Sequence, residues 1–475
     1  MSRRTSARTP ASASGRDKAG PSSASGRDKA GAFRRESLVA VFALAALQAG
    51  VCALALRAGF DHVSDDDFAR VTIAQAFAHR PRLDPSATSW LPFPFWWTGT
   101  IMALFGRSLA VARVAQIVLA SLAAATPYLA LRSAGASRGA SGFGAIAAIA
   151  TPWALWLAAA TVPEAFTASF AAAAAIGLGA RPSETTTNRS LFVFALLLFC
   201  ACLSRYEVWP VAAVLAPVLV VRAVRAESAH TSRRVLVACA VLAAIGPLAW
   251  MAWNLHAHAS AIHFFHRVST FKRNIGAGST NTKTALLLYP NLLLAMRPEL
   301  VLAATAGLAT LRSPEMRARW LVPLVCAAAQ IALLACGNVR DGAPAHHPER
   351  ALLAPAALLA AFAVDAASMA VADLSRRGAS GWVASVVACA TILGAWLFGV
   401  AQSSEIPGNA PFEDRRPQLA RGVELRRAGG PHLHIEPCAF EHFALLAAFE
   451  MPERANVQPR SGAPVGPECP HVEGR

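Results

Sequence analysis

The stretch FGAIAAIATPWALWLAAA, residues 143–160, contains no charged side chain and is apolar on every side of the helix that it would form. A helix on the surface of a soluble domain keeps a polar face. An apolar helix of this length instead fits the hydrocarbon core of a bilayer, which a helix crosses in about 20 residues. The stretch therefore predicts a membrane-spanning helix, and similar runs recur along the chain.

The composition indicates that most of the chain lies in a membrane. Its 475 residues are 55% hydrophobic and only 15% charged, and the mean hydropathy is +0.41. Soluble domains carry about 25% charged residues. Apolar runs of about 15–25 residues alternate with short polar connections, as they do in helical bundles that cross the bilayer many times. We therefore predict an all-α polytopic membrane protein and exclude an ordinary soluble domain.

The apolar runs predict about eleven transmembrane helices. They fall near residues 37–57, 108–132, 139–160, 163–180, 190–204, 208–225, 234–255, 298–311, 319–336, 350–371 and 381–402. Two further segments between the first two spans are expected to lie in the membrane interface. One, residues 66–80, has apolar residues on one side at helical spacing. The other, SWLPFPFWWTGTIMALFG at 89–106, opens with an aromatic cluster and is slightly too short to span.

The polar ends of the chain set its expected orientation. Residues 1–34 are rich in Ser, Ala, Gly and Arg and contain SASGRDKAG twice, which predicts a disordered basic tail. Much of the formal net charge of +16 lies there and in short loops, as in cytoplasmic segments of membrane proteins, and no basic face interleaved with aromatics indicates nucleic acid. We expect a bacterial inner membrane protein with a cytoplasmic N-terminus and a membrane domain at 35–402. The tail at 403–475 would then be extracytoplasmic, where Cys438 and Cys469 could pair.

The segment VSDDDFAR, residues 63–70, is the densest cluster of acids in the chain. One interpretation is a helix N-terminus, with Ser64 as N-cap and Asp65, Asp66 and Asp67 in the first turn, where they suit the helix dipole. The other is catalytic. Carboxylates at the membrane boundary are partly desolvated, which raises their proton affinity and suits general-base work. The sequence leaves both interpretations open.

The span count places further chemistry on the same outer face. Arg350 precedes a span, where an arginine and helix N–H groups can hold phosphate or the side chain can simply anchor at the interface. Arg205 and Glu207 lie in a tight turn, where they could bind substrate or pair with each other. Around them, the outer segments contribute Glu164, Tyr206, His346, His347, Lys272 and Arg273, and the loop at 256–283 adds His256, His258, His263 and His266. The histidines could hold a metal, and basic residues at a bilayer surface meet lipid phosphate.

The order of these features resembles the type C glycosyltransferases, which include protein mannosyltransferases and the aminoarabinose transferases of lipid A. The resemblance runs through about residues 37–370. It rests on the acidic pair after the first span, an interfacial helix, SWLPFPFWW leading into FGRSLAVAR, the outward Glu of VPEAF, and a late Arg before a span. The WWDYG-type motif of oligosaccharyltransferases is absent.

The resemblance implies transfer of a sugar from a polyprenyl-phosphate-linked donor to an acceptor at the extracytoplasmic face. Asp65 or Asp66 would be the general base of an inverting displacement. The candidates for holding the donor phosphate are Arg205, Arg350, Lys272 and Arg273. Those for positioning substrate are Asp67, Glu164, Tyr206, Glu207, His346 and His347. A divalent cation is the one cofactor left open, and the sugar and the acceptor (protein, lipid or glycan) are not specified.

Two other classes of function compete with this interpretation. A transporter or lipid flippase places ionisable residues near the bilayer midplane, often in two matching halves. Here the charges lie at span ends, and no second copy of the acidic cluster is evident. A surface-polysaccharide polymerase or ligase would also use outer-loop arginines, but it would not need the early acids.

Overall fold

Long apolar helices make up most of the computed structural model. It describes residues 23–150, 157–183, 185–225, 232–274, 281–344, 348–376, 414–430, 432–436 and 440–458, with positions 378 and 383. In this part of the chain, stretches long and apolar enough to cross a membrane are Glu36–Arg57, Leu109–Ser133, Tyr206–Arg225, Arg233–His258, Pro314–Val339 and Pro348–Asp373. Glu164–Gly179 and Asn188–Cys202 are shorter apolar helices. The all-α polytopic class is confirmed.

The helices follow one another with short connections. In chain order they are α1 (Ser23–Arg57), α2 (Asp65–His79), α3 (Phe93–Phe105), α4 (Leu109–Ala124), α5 (Thr126–Ser133), α6 (Arg138–Ile149), α7 (Glu164–Gly179), α8 (Asn188–Cys202), α9 (Trp209–Arg225), α10 (Arg233–His258), α11 (His263–Asn274), α12 (Thr282–Met296), α13 (Pro298–Gly307), α14 (Pro314–Val339), α15 (Leu353–Ser375), α16 (Arg416–Arg427) and α17 (His442–Phe449). Short 3₁₀ helices cover Tyr206–Val208, Leu308–Arg312, Pro348–Leu352 and Pro452–Arg454. Two strands, β1 (Leu433–Ile435) and β2 (Ala455–Val457), pair in parallel.

Helix α7 lies at the centre of the bundle. All of its residues are buried, and it packs against α4, α5, α8, α9, α14 and α15. Its alanines and glycines let neighbouring helices approach closely, as small residues do in membrane helix interfaces. At Gly177, an added Cβ would lie only 2.3 Å from the Phe194 ring. The small residues of α7 therefore set how tightly the bundle closes.

The C-terminal end of α7 is capped by Arg222 of α9. Its guanidinium donates to the carbonyl oxygens of Leu178 at 2.7 Å, Gly179 at 2.5 Å and Ala180 at 2.8 Å. The last carbonyls of a helix lack partners within the helix and carry the negative end of its dipole. Arg222 therefore satisfies the buried end of α7, and the other end, at Glu164, faces the candidate site.

Helix α2 lies where an interfacial helix was expected, but protein covers its apolar residues. Phe68, Val71 and Ala74 pack with Met102 of α3, and with residues of α4 and α17. The helix is thus held between the membrane bundle and the C-terminal segment, by which we mean the described residues of 414–458. This burial fixes the orientation of the acids at its first turn.

The expected spans coincide with helices apart from two. Of the span at 139–160, helix is described at Arg138–Ile149, and residues 151–156 lie outside the described part; of the span at 381–402, the structure describes only position 383. Three details differ. Helix α1 begins at Ser23, inside the stretch expected to be a disordered tail, since residues 23–34 contain helix-forming Ala, Arg and Lys and no proline. Residues 263–274, expected in a loop, form α11. Helix α12, a run of 15 residues that contains Pro290, was not expected.

Candidate functional site

The acidic triplet forms the first turn of α2, with Ser64 as its N-cap. Asp67 is buried, and its carboxylate accepts from the backbone N–H groups of Val63 at 3.2 Å, Ser64 at 3.3 Å and Thr161 at 3.0 Å. Burial raises the pKa of Asp67, while the Thr161 N–H and the charge of Arg350 oppose the rise. Asp67, expected to position substrate, therefore closes the helix cap and ties α2 to the loop before α7.

Asp65 is engaged by the C-terminal segment. Arg415 donates to it through two parallel bonds, Nε to Oδ1 at 2.7 Å and Nη2 to Oδ2 at 2.7 Å. Such a planar two-bond pairing is the strongest form of carboxylate recognition by arginine. Each oxygen of Asp65 thus accepts a charged hydrogen bond, and the adjacent guanidinium charge disfavours uptake of a proton from a substrate.

Asp66 differs from both neighbours because its side chain is exposed. Within the part of the chain that the structure describes, no hydrogen bond or ion pair to Asp66 is found. Two cations are nevertheless close enough to interact with it electrostatically, Arg70 and Arg205. Of the two acids proposed as the base, Asp66 is therefore the one accessible to a substrate.

Arg70 is a member of the site that the sequence analysis missed. It lies one helical turn after Asp66 on α2, so the two side chains share a face. The guanidinium is buried and stands over the Trp90 ring, 4.4 Å from its centre. Its Nε has no hydrogen-bond partner among the described residues. Burial lowers the pKa of Arg70, and Glu164 and Asp66 oppose this effect. The spacing from Asp66 and the nearby aromatic segment were the signals that could have found it.

A second set of charges meets at the N-terminus of α7. Arg205 donates to Glu164 and pairs in bidentate fashion with Glu207, at 2.6 Å and 3.1 Å. Burial by itself would lower the pKa of Arg205, but Glu207 and Glu164 raise it above its ordinary value. The ion pair within the turn, one of the alternatives considered for Arg205 and Glu207, is thus present. Glu164 links this turn to the centre of the bundle.

Arg350 completes the cluster from the 3₁₀ helix before α15. It is buried, lies 3.7 Å from Glu164 and donates to the Ser64 hydroxyl at 3.3 Å. Its Nε, like Oε2 of Glu164, is buried without a hydrogen-bond partner among the described residues. Arg350 therefore connects the α2 cap to the α7 N-terminus and keeps a donor available for a bound anion.

Other residues predicted for the site lie elsewhere. Lys272 donates to Asn338 at 2.6 Å, and Arg273 bonds the Ser269 carbonyl of its own helix. Neither forms an ion pair with the cluster in the described part of the chain. Tyr206 stacks on Phe264 with ring centres 3.9 Å apart. His346, His347, Cys438 and Cys469 lie outside the described residues.

The residues that the structure describes contain no group of three or more His, Cys, Asp and Glu placed to hold a metal ion. His258 and His263 stack with ring centres 4.0 Å apart, without a third such residue beside them. A divalent cation in the site stays a prediction, because the histidines before Pro348 are not described.

No family model and no curated protein matches the sequence. Solved structures similar in shape include ArnT from Cupriavidus metallidurans bound to undecaprenyl phosphate, with a TM-score of 0.47, 15% identity, and 91% of this chain and 76% of that chain covered. The apo state of ArnT gives a TM-score of 0.43, 15% identity and coverage of 89% and 76%. The Archaeoglobus fulgidus oligosaccharyltransferase, in complex with Zn and sulfate, gives a TM-score of 0.43 and 17% identity, with 81% of this chain and 55% of that chain covered. Each is a similarity of shape at low identity.

Proposed function

We propose that this chain is an integral membrane glycosyltransferase that moves a sugar from a polyprenyl-phosphate-linked donor to an acceptor at the extracytoplasmic face. The observation that carries the proposal is the exposed carboxylate of Asp66 beside a cluster of buried arginines. A base next to fixed cations is what the displacement of a phosphate from a sugar requires. The sugar and the acceptor are not specified by these residues.

The proposed reaction is an inverting displacement at the anomeric carbon of the donor. An acceptor hydroxyl attacks this carbon while Asp66 takes its proton. The new bond joins the acceptor oxygen to the anomeric carbon, and the bond from that carbon to the phosphate oxygen breaks. Both electrons of the broken bond leave with the polyprenyl phosphate, whose charge is stabilised by arginine.

Arg70 and Arg350 are the proposed phosphate ligands. Each is buried and carries an Nε without a hydrogen-bond partner among the described residues. A buried arginine stays charged and can hold phosphate oxygens with paired N–H donors. Arg205 is largely satisfied by Glu164 and Glu207, so it contributes charge and fixes the turn. Glu164 keeps the arginines in place.

The proposal is tested by supplying purified protein in phospholipid vesicles with a labelled sugar on polyprenyl phosphate and a membrane extract as acceptor source. Release of free polyprenyl phosphate reports cleavage of the donor. Loss of a general base costs about 10²–10⁴ in rate, so Asp66→Asn should reduce release at least 100-fold. Asp373→Asn, at an exposed position on α15, is the matched control and should behave like the wild type.

The same assay separates the competing functions. A flippase would move the labelled donor between leaflets intact, without release of polyprenyl phosphate. An inverting transferase gives a product whose anomeric configuration is opposite to that of the donor. Full activity in Asp66→Asn would reject Asp66 as the base.

A further inference from the structure

The C-terminal segment returns to the first turn of α2 and places Arg415 against the acidic triplet. The Arg415 and Asp65 side chains are 16% and 17% exposed, so their pair is largely shielded from water. Arg416, the next residue, has a side chain 83% exposed and pairs with Asp414, two residues before it. The burial of Arg415 is therefore specific to that position.

Other contacts fix the C-terminal segment along the whole length of α2. Near the end of the helix, Gln75 donates to the carbonyl of Ala447 at 2.7 Å. Beyond it, Arg107 pairs with both carboxylate oxygens of Glu453, at 3.0 Å and 2.9 Å. Because α2 is about 22 Å long, these contacts hold the segment at both ends of the helix. The folded C-terminal segment thus places Arg415 against Asp65.

The charges of the triplet explain why the pairing of Arg415 with Asp65 matters for Asp66. Three carboxylates in one helical turn repel one another, and each unpaired neighbour favours protonation of the next. Asp67 is satisfied by backbone N–H groups, and Arg415 neutralises Asp65. Asp66 is then left with the cations Arg70 and Arg205 as its partners across the site.

We propose that Arg415 is a positioning residue of the transferase, which neutralises Asp65 and holds the first turn of α2 so that Asp66 alone faces the substrate. This inference rests on the proposed function. It gives the C-terminal segment a role in the reaction, although no residue of the segment would touch the substrate.

The test compares pH–rate profiles of sugar transfer for four variants. The other charged groups around the triplet are Arg70 and Arg205 near Asp66, His62 with its partner Asp61 near Asp65, and Arg350 with its partner Glu164 near Asp67. All of them are unchanged in these variants. Arg415→Met removes the charge, Arg415→Lys keeps it, and Arg416→Met is the matched control. The double variant Asp65→Asn with Arg415→Met removes both partners.

In Arg415→Met, the unpaired Asp65 charge should move the acid side of the profile to higher pH by roughly one unit, and the rate below the midpoint should fall about tenfold. Arg415→Lys and Arg416→Met should keep the wild-type profile. The double variant should recover the wild-type profile, because no uncompensated charge remains at position 65 beside Asp66. A merely structural contact would not produce this recovery.

Two results would overturn the inference alone: a wild-type profile in Arg415→Met, or a double variant displaced as far as Arg415→Met. If Arg415→Met does not fold, the double variant and Arg415→Lys decide the question, since a displaced profile in both rejects charge neutralisation as the cause. Absence of transfer by the wild-type chain would instead overturn the proposed function together with this inference.

Discussion

Glu164→Gln tests whether one buried carboxylate holds the charge cluster together. The side chains of Glu164 and Arg350 are only 3% and 5% exposed, and the change removes a negative charge while keeping the size of the residue. Arg205 retains its two bonds to Glu207. Arg205 would thus lose one carboxylate partner and keep the other, whereas Arg350 would lose its nearest carboxylate.

The expected magnitude follows from the separation of the two charges. At 3.7 Å and an effective dielectric constant of about 20, the attraction between Arg350 and Glu164 is about 4 kcal/mol. Removing one partner of a buried ion pair commonly costs about 3–5 kcal/mol. Asp67 still attracts Arg350 after the change. We therefore expect the free energy of unfolding to fall by about 3 kcal/mol.

Equilibrium unfolding in mixed micelles measures this change, with Glu315→Gln as the control. Glu315 also pairs with an arginine, Arg319, but its side chain is 66% exposed and Arg319 keeps its bond to Asp365. A surface pair of this kind contributes less than about 1 kcal/mol. Equal losses in the two variants would refute the reasoning. The double variant Glu164→Gln with Arg350→Met should lose less stability than the sum of the two single variants, because the two residues form one pair, and a fully additive loss would also contradict the reasoning.

Three further outcomes are expected. Arg70→Lys should weaken donor binding about tenfold, measured as donor KM, because lysine cannot reproduce the planar stacking over Trp90. An unchanged KM would exclude Arg70 from the phosphate site. Burial raises the pKa of Asp67, so the stability that its protonated form contributes is lost as pH rises through that raised value. Asp67→Asn should remove this pH dependence from thermal unfolding between pH 4 and 7. A pH dependence that persists in the variant would assign it to another group. Gly177→Ala should destabilise the bundle by about 1–3 kcal/mol in unfolding titrations, because its Cβ would press on the Phe194 ring, and no loss would mean that the ring moves freely.

The helical architecture could be predicted from the sequence because the signal for it is local. An apolar run long enough to span the bilayer identifies a helix without knowledge of its neighbours. The prediction was wrong where tertiary contacts decide. Helix α12 is short and contains Pro290, and it is covered by protein through Tyr289 and Leu293, which pack with residues of α14 and of the segment at 348–352. Periodicity in residues 282–296 does not contain that information.

The acidic triplet shows why the members of the site, but not their roles, could be predicted. Asp65, Asp66 and Asp67 are chemically identical and adjacent, so local propensity cannot separate them. Their roles are assigned by partners far along the chain: Thr161 bonds Asp67 across 94 residues, and Arg415 bonds Asp65 across 350. The helix-cap interpretation of the triplet is confirmed for Asp67, and the catalytic interpretation stays a prediction, for Asp66. Asp67 completes the helix cap, and Asp66 is left as the accessible acid because its neighbours are already occupied.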